Sequence, residues 1–191
     1  SILGVVFPVS TIEVKKIIDL ANEFKISVYP VSSGKNWGLG SRAPVKDNCL
    51  VIDLSKMNKI LEVNPTFGYA LIQAGVTQTQ LHEYLNDNNL PYIFNVIGSG
   101  KDTSLIGNAL ERGVGYFSSR ADNLSGLEVV LGNGEIIQTG FRHYPNAKTS
   151  FLYPYGIGPQ LDGLFYQSGM GIVTSAAVEL IPKARVHAAL M

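Results

Sequence analysis

The sequence predicts an α+β fold, because helix and strand patterns are mixed along it without strict alternation. Ser10 and Glu13 form a capping-box pair that opens a helix. Apolar residues at helical spacing follow this pair, namely Val14, Ile17, Ile18, Ala21 and Phe24. Residues 49–54 are apolar on both faces, which is typical of a central strand. The turn sequence Gly-Asn-Gly at 132–134 separates two short apolar runs and indicates a hairpin.

The first part of this pattern predicts a small βαβ-like unit. A short strand over residues 27–31 follows the helix and leads into a glycine-rich loop. The apolar strand at 49–54 follows that loop. We therefore expect a first subdomain over about residues 1–61.

The rest of the chain predicts a second subdomain over about residues 66–185. Thr77 and Gln80 form another capping box, and the helix that it opens is ended by Asn88, Asn89 and Pro91. The other expected elements are strands at 69–74, 127–131, 135–138 and 172–181, helices at 104–111 and 161–167, and a long loop at 141–160. We treat residues 1–191 as one domain made of these two subdomains.

Composition and charge exclude several classes of function. Lysine plus arginine equals aspartate plus glutamate at 15 each, so no net field attracts nucleic acid or an anionic membrane. No apolar stretch reaches the length of a membrane span, and the start of the chain lacks a secretory signal. Cys49 is the only cysteine and the three histidines are isolated, so we expect neither a disulfide nor a metal site. These features favour a cytoplasmic location.

The most informative stretch is the loop at 32–41, which follows a strand and contains three glycines. Glycine permits positive φ and close approach of a ligand, and consecutive N–H groups form a nest for an anion. The dinucleotide fingerprint that begins at Gly38 lacks the helix it requires, and the P-loop-like run at 98–101 lacks two essential residues. The loop therefore predicts a phosphate cradle of another kind, with an ordinary surface loop as the alternative.

Two further segments are typical of ligand loops. Residues 98–108 place hydroxyls and backbone amides at the start of a short helix, where they either face an anion or simply cap the helix. Gly169 and Gly171 precede a strand and would let a flat ring or a sugar approach the main chain, with a tight connection as the alternative.

Several runs in fixed order resemble one flavoprotein family over nearly the whole chain. They are residues 7–14, 30–40, 75–76, 104–116, 127–131, 133–135, 154–159, 162–165 and 169–174. The run Ser-Leu-Ile-Gly-Asn-Ala-Leu-Glu-Arg-Gly-Val-Gly-Tyr at 104–116 carries the most weight. On these motifs the chain resembles the PCMH-type FAD-binding domain of the vanillyl-alcohol oxidase and p-cresol methylhydroxylase family.

The resemblance implies a two-subdomain PCMH-type FAD-binding fold with FAD between the subdomains. It also implies that the first loop binds the pyrophosphate, and that the short helix and the last long strand contact other parts of the cofactor. The cofactor contacts implied in this way are Ser33, Gly34, Lys35, Asn36, Trp37, Gly38, Thr103, Ser104, Gly107, Asn108, Gly171 and Ile172.

Three positions depart from the family pattern. Many members attach FAD covalently to a histidine at the position of Asn36, so we expect FAD that is not attached through this loop. Leu39 stands where phenol oxidases carry a tyrosine, and Ser99 stands where vanillyl-alcohol oxidase carries an acid near flavin N5. Both changes argue against assigning the phenol substrate of the nearest relatives on resemblance alone.

The resemblance implies a flavin-dependent oxidoreductase that transfers hydride from an alcohol or hydroxylated substrate, including an aromatic one, to flavin N5. Ser99 and Arg112 are the candidates for catalysis, and Lys35, Arg112 and Arg120 for a positive charge near the reduced flavin. The implied partners are a small-molecule substrate and a second, substrate-binding domain or chain, and a homodimer is compatible with the family. A flavin-binding module without catalysis and a 2-hydroxy-acid dehydrogenase of the same superfamily stay open as alternatives.

Overall fold

The computed structural model describes residues 2–35 and 42–184. Its first part consists of β1 (Ile2–Val6), α1 (Thr11–Glu23), β2 (Ser27–Val31) and β3 (Cys49–Asp53). The three strands form a parallel sheet in the order β1–β3–β2, so β3 is central, as its continuous apolar sequence predicted. Strand β1 was not expected from the sequence, because it is a short, mostly exposed edge strand without alternating polarity.

Hydrogen bonds around Ser10 determine where α1 begins. The Ser10 hydroxyl accepts a hydrogen bond from the Glu13 N–H at 3.2 Å, and Glu13 Oε2 accepts one from the Val9 N–H at 2.8 Å. This exchange satisfies an N–H of the first turn and holds the entering chain. The face that α1 buries is made of Val14, Ile18 and Ala21. The predicted helix is confirmed.

The second part of the chain contains two helices and seven strands within the described residues. In chain order these are β4 (Ile60–Asn64), β5 (Tyr69–Gln73), α2 (Gln78–Asp87), β6 (Tyr92–Ile93), α3 (Leu105–Leu110), β7 (Leu124–Leu131), β8 (Ile136–Gln138), β9 (Gly171–Glu179) and β10 (Ile181–Pro182). Five of the strands form an antiparallel sheet in the order β4–β5–β9–β7–β8, while β6 pairs with β10. None of the helices described is long and apolar enough to cross a membrane.

The predicted hairpin is confirmed, but its first strand is longer than expected. β7 pairs with β8 on either side of the turn at 132–134, and it begins at Leu124, three residues before the predicted start. Gly126 has φ of +56° and lies at a shift in the β7–β9 register. A glycine inside a strand weakens the local pattern, and this bulge therefore concealed the start of β7.

Two predicted elements are wrong. The helix expected at 161–167 is a single 3-10 turn, Asp162–Phe165, because the backbone becomes extended at Tyr166. The strand expected at 172–181 divides into β9 and β10, because the Leu180 N–H donates to the Gly68 carbonyl at 2.8 Å and turns the chain toward β6. Strand β4, which pairs with β5 at the sheet edge, was not expected from the sequence.

One apolar cluster joins the parallel sheet to the antiparallel sheet. Its buried members are Val14, Ile18, Ile52, Leu54, Met57, Ala74, Val130 and Ile172. Helix α1 supplies the first two, β3 supplies the third, and strands β7 and β9 supply the last two. A larger cluster lies between the antiparallel sheet and helices α2 and α3. The two sheets are thus held against each other by shared burial of apolar surface.

A half-buried carboxylate reinforces this junction. Glu128 Oε1 accepts hydrogen bonds from the hydroxyls of Thr11 on α1 at 2.7 Å and Thr174 on β9 at 3.2 Å. Its other oxygen accepts from Gln138 Nε2 at 3.0 Å and lies 3.5 Å from Arg142 Nη2. Burial raises the pKa of Glu128, but these hydrogen bonds and the Arg142 charge together bring it below its usual value.

Asp162 differs from Glu128, because it is buried without such hydrogen bonds among the described residues. Its side chain is fully buried, and within the described chain neither carboxyl oxygen has a hydrogen bond of normal geometry. Burial raises the pKa of Asp162 to about 6, against a smaller opposing effect of the Thr139 hydroxyl. The same charge contributes, after burial, to a raised pKa at Tyr166. The ionised form of Asp162 therefore costs stability near neutral pH.

We expect Glu128→Gln to lower the free energy of unfolding by about 1–3 kcal/mol at neutral pH, because the charged acceptor of several hydrogen bonds is lost. The native pKa of Glu128 is lowered, so its contribution is present above the pKa of the unfolded chain and is lost as the pH falls through the native pKa. Urea unfolding at neutral and acid pH measures both effects. The exposed Glu83→Gln is the control, and an equal loss at both pH values would contradict the assignment.

Asp162→Asn should show the reverse pH dependence. The native pKa is raised from 3.8 to about 6, so wild-type stability falls as the pH rises across that interval. Asparagine removes this charge. The free energy of unfolding of the variant, relative to that of the wild type, should therefore rise by up to about 3 kcal/mol between pH 4 and neutral pH. Unfolding curves across this range, with the exposed Asp87→Asn as control, measure the difference. A stability difference independent of pH would show that Asp162 is not titrating in the native state.

Candidate functional site

A cleft lies where the end of β2, the start of α3 and the start of β9 meet. It encloses about 950 Å³, counting the part open to solvent. Every sequence-predicted cofactor residue within the described ranges lines it, namely Ser33, Gly34, Lys35, Thr103, Ser104, Gly107, Asn108, Gly171 and Ile172. The other three predicted contacts, Asn36, Trp37 and Gly38, lie outside the described residues, as does Leu39. Three segments that are far apart in sequence thus form one site.

The loop after β2 is tied to α3 and to its own far end. Ser33 Oγ accepts a hydrogen bond from the Ser104 N–H at 3.1 Å. Arg42 Nη2 donates to the Ser33 carbonyl at 3.0 Å and lies 3.9 Å from Asp53 Oδ2. Gly34 has φ of +62°, and a Cβ atom there would overlap with the Arg42 side chain. The backbone conformation therefore favours glycine at 34, and any larger residue would also displace the Arg42 side chain.

Ser104 caps α3 and joins it to the antiparallel sheet. Its hydroxyl accepts a hydrogen bond from the Gly107 N–H at 2.9 Å and donates to the Ala74 carbonyl at 2.6 Å. A Cβ atom at Gly107 would overlap with the Ser32 hydroxyl. The helix therefore packs directly against the loop after β2, and this contact shapes the wall of the cleft.

The side chain of Asn108 forms a hydrogen bond with a buried arginine. Arg120 is 3% exposed, and its Nη1 donates to Asn108 Oδ1 at 3.3 Å. Arg120 Nη2 is buried and has no hydrogen-bond partner in the part of the chain that the structure describes. Burial lowers the pKa of Arg120 to about 10, which still leaves it charged at neutral pH. Arg120, a candidate for the positive charge near the reduced flavin, thus does not line the cleft but contacts Asn108, which does.

The two candidates for catalysis do not line this cleft. The Ser99 hydroxyl forms a hydrogen bond of 2.8 Å with the hydroxyl of Thr103, which is itself in the lining. Arg112 is exposed and has φ of +55° in the turn after α3. Their proposed catalytic roles remain predictions that this geometry does not test.

Much of the apolar lining was not predicted from the sequence. These residues are Leu54, Ala74, Ile106, Leu110, Phe165 and Val173, with the polar residues Tyr29, Glu111, Gln167 and Ser168 beside them. Most lie next to predicted residues, but nothing in their local pattern distinguishes them from other core positions. Hydroxyl and amide groups thus share the cleft with apolar side chains. That combination suits a ligand with both a polar or anionic part and a flat apolar part.

Comparison with known proteins identifies the family. The family described as FAD binding domain matches residues 2–140. The chain is 44% identical over 186 residues to 1'-carboxy-chondrochloren decarboxylase of Chondromyces crocatus, covering 96% of this chain and 34% of that protein. It is 38% identical over 173 residues to the flavoprotein subunit of 4-cresol dehydrogenase [hydroxylating] of Pseudomonas putida, covering 90% and 33%.

A solved structure gives the same result for the fold. The crystal structure of p-cresol methylhydroxylase with substrate bound has a TM-score of 0.92 and 37% sequence identity, covering 95% of this chain and 36% of that chain. The chain thus spans about a third of the length of the curated relatives it matches. The predicted α+β, PCMH-type fold is confirmed. On this evidence the chain belongs to the FAD binding domain family, in the branch of vanillyl-alcohol oxidase and p-cresol methylhydroxylase.

Proposed function

We propose that this chain is the FAD-binding part of a flavin-dependent oxidoreductase that oxidises an alcohol or hydroxylated aromatic substrate. The observation that carries the proposal is the convergence of three separate segments on one cleft, with every described member of the predicted cofactor set in its lining. Family membership supports the cofactor. The activity of the whole protein is inferred from relatives of which this chain covers about a third.

The residues present fit FAD. Gly34, in its left-handed conformation, brings backbone close to the ligand space, and Ser33 and Ser104 join the two walls there. We assign the pyrophosphate to the loop that begins with Ser33, Gly34 and Lys35. Among the described residues, the Asn108 Nδ2 group donates to no protein acceptor. This group can therefore donate a hydrogen bond to a cofactor.

The start of β9 forms the other side of the proposed site. We assign Gly171 and Ile172 to the ribityl or adenosine part, since both line the cleft at the start of β9. A Cβ atom at Gly171 would lie 2.6 Å from Val129 Cγ1, so only glycine lets β9 pack there and still border the cleft. Apolar neighbours on this side exclude water from a bound ring.

Bound flavin supplies the chemistry by accepting a hydride at N5. The residues of this chain bind, orient and desolvate the cofactor. We propose that the substrate-binding residues come from a second domain or chain, since the relatives are about three times as long. We also propose that FAD is not attached through the loop, because Asn36 carries no nucleophile for such a bond.

The relatives support two substrate classes. The 4-cresol dehydrogenase relative favours a 4-alkylphenol. The decarboxylase relative, at 44% identity, favours a second candidate in which the substrate carries a carboxyl group that is lost in the reaction. We propose that a separate partner accepts the electrons, because the 4-cresol dehydrogenase relative is a flavoprotein subunit.

The cofactor assignment is tested by FAD binding to the full-length protein. Gly34→Ala should weaken FAD binding by about tenfold or more, since the side chain demands a strained φ and displaces Arg42. Gly132→Ala is the control, because a Cβ there meets nothing within 4 Å. Titration calorimetry measures both variants. Wild-type affinity in Gly34→Ala would place the pyrophosphate elsewhere, and a flavin-carrying peptide from the loop after β2 would contradict the proposal that FAD is not attached there.

The reaction is tested by anaerobic mixing of the flavin-loaded, full-length protein with candidate substrates. We expect a 4-alkylphenol to bleach the visible flavin band, because hydride transfer reduces the cofactor. Bleaching by a carboxylated phenol with release of carbon dioxide would favour the second candidate. Bleaching by a 2-hydroxy acid alone would contradict both, and a flavin that no substrate reduces would favour a binding module without catalysis.

A further inference from the structure

Asn108 lines the cleft, and the buried Arg120 lies directly behind it. We propose that Arg120 is a positioning residue that fixes the Asn108 amide so that its Nδ2 donates a hydrogen bond to an acceptor atom of FAD. This inference rests on the proposed function, because it names how one residue of that site is oriented for its ligand.

A series of backbone contacts fixes the two residues relative to each other. The Gly113 N–H donates to the Asn108 carbonyl at 2.9 Å, and the Arg120 N–H donates to the Gly113 carbonyl at 2.8 Å. A Cβ atom at Gly113 would overlap with the Asn108 amide group, so that amide packs against the main chain of Gly113. Arg120 therefore reaches Asn108 from a fixed position rather than by a flexible contact.

The chemistry of the guanidinium decides which way the amide turns. Arginine has only donors, so Asn108 must present Oδ1 to it, and the reverse orientation would set two donors against each other. The contact of 3.3 Å from Nη1 to Oδ1 is the only hydrogen bond of the Asn108 side chain within the described residues. Nδ2 is thereby left as the group that can serve a ligand. The adjacent positive charge also polarises the amide and strengthens it as a donor.

Stability gives no reason for this arginine to be buried here. A buried cation needs a carboxylate or several acceptors to offset its lost hydration. Arg142, whose side chain is largely buried, has them: it contacts Glu128, Ser175 and the Gly126 carbonyl. Among the described residues, Arg120 has one side-chain acceptor and no partner for Nη2. The difference is accounted for if the role of Arg120 is to orient the cleft residue that it contacts.

The decisive variant is Asn108→Asp in the full-length protein. A carboxylate keeps an acceptor for Arg120, so the thermal midpoint of the FAD-free protein should stay the same or rise. It removes the side-chain donor of position 108, whose backbone N–H is already bonded to the Ser104 carbonyl. We expect FAD affinity, measured by calorimetry, to fall by about tenfold or more. A purely structural pair would instead give unchanged FAD affinity in this variant.

A second measurement tests the coupling. Asn108→Ala and Arg120→Met should each weaken FAD binding, and the double variant should be no weaker than Asn108→Ala alone, since both remove one interaction. Arg142→Met is the matched control, because it removes a largely buried arginine side chain whose contacts do not line the cleft. Arg142→Met should change FAD affinity little. In a double variant with Asn108→Ala, the two changes in the free energy of FAD binding should add. Arg120→Lys, which keeps the charge, should retain part of the affinity if Arg120→Met fails to fold.

The outcomes separate the two levels of the proposal. Normal FAD binding by Asn108→Asp, or independent effects of Asn108→Ala and Arg120→Met, would overturn the positioning role while leaving the FAD site in place. Failure of the unsubstituted, full-length protein to bind FAD would overturn the proposed function and this inference with it. Loss of affinity in Asn108→Asp at an unchanged thermal midpoint supports both.

Discussion

The arrangement of this domain depends on the apolar contact between α1, β3 and the antiparallel sheet. Ile172 belongs to that shared core and also lines the cleft. Packing that excludes water from the junction therefore also sets the distance between the loop after β2 and the start of β9. The Glu128 network adds direction to this contact, since it joins Thr11 of α1 to Thr174 of β9 through one carboxylate. Apolar burial supplies the attraction between the two sheets. The hydrogen bonds of Glu128 add a directional contact between α1 and β9.

The charged groups buried in this domain are satisfied to very different degrees. Glu128 and Arg142 lie together among many partners, as expected for ions that are removed from water. Asp162 and Arg120 are buried with almost none in the described chain. Burial without compensation costs stability, and such costs are retained in proteins where a functional arrangement requires them. The contact of Arg120 with the cleft residue Asn108 gives one of these two groups a function.

The cleft is assembled from elements that contribute different chemical groups. The loop after β2 contributes main chain that glycine allows to come close, α3 contributes a hydroxyl cap and an amide, and β9 contributes apolar surface. None of these segments could hold a dinucleotide by itself, because each presents only one face of the ligand space. Their joint packing explains why a chain without net charge can provide a site for an anionic cofactor: local donors replace a general positive field.

The sequence by itself determined the elements whose signals are local. The helix caps at Ser10 and Thr77, the apolar centre of β3 and the hairpin turn at 132–134 each depend on residues close in the chain. Ordered motifs then identified the family and predicted which loop binds the cofactor. Tertiary structure alone decided the edge strands β1 and β4, the division of β9 from β10, and the single turn at Asp162–Phe165. It also placed Arg120 behind Asn108 and joined Thr11 to Glu128. These contacts join residues 12 and 117 positions apart, and no local propensity specifies which distant group will meet a buried polar atom.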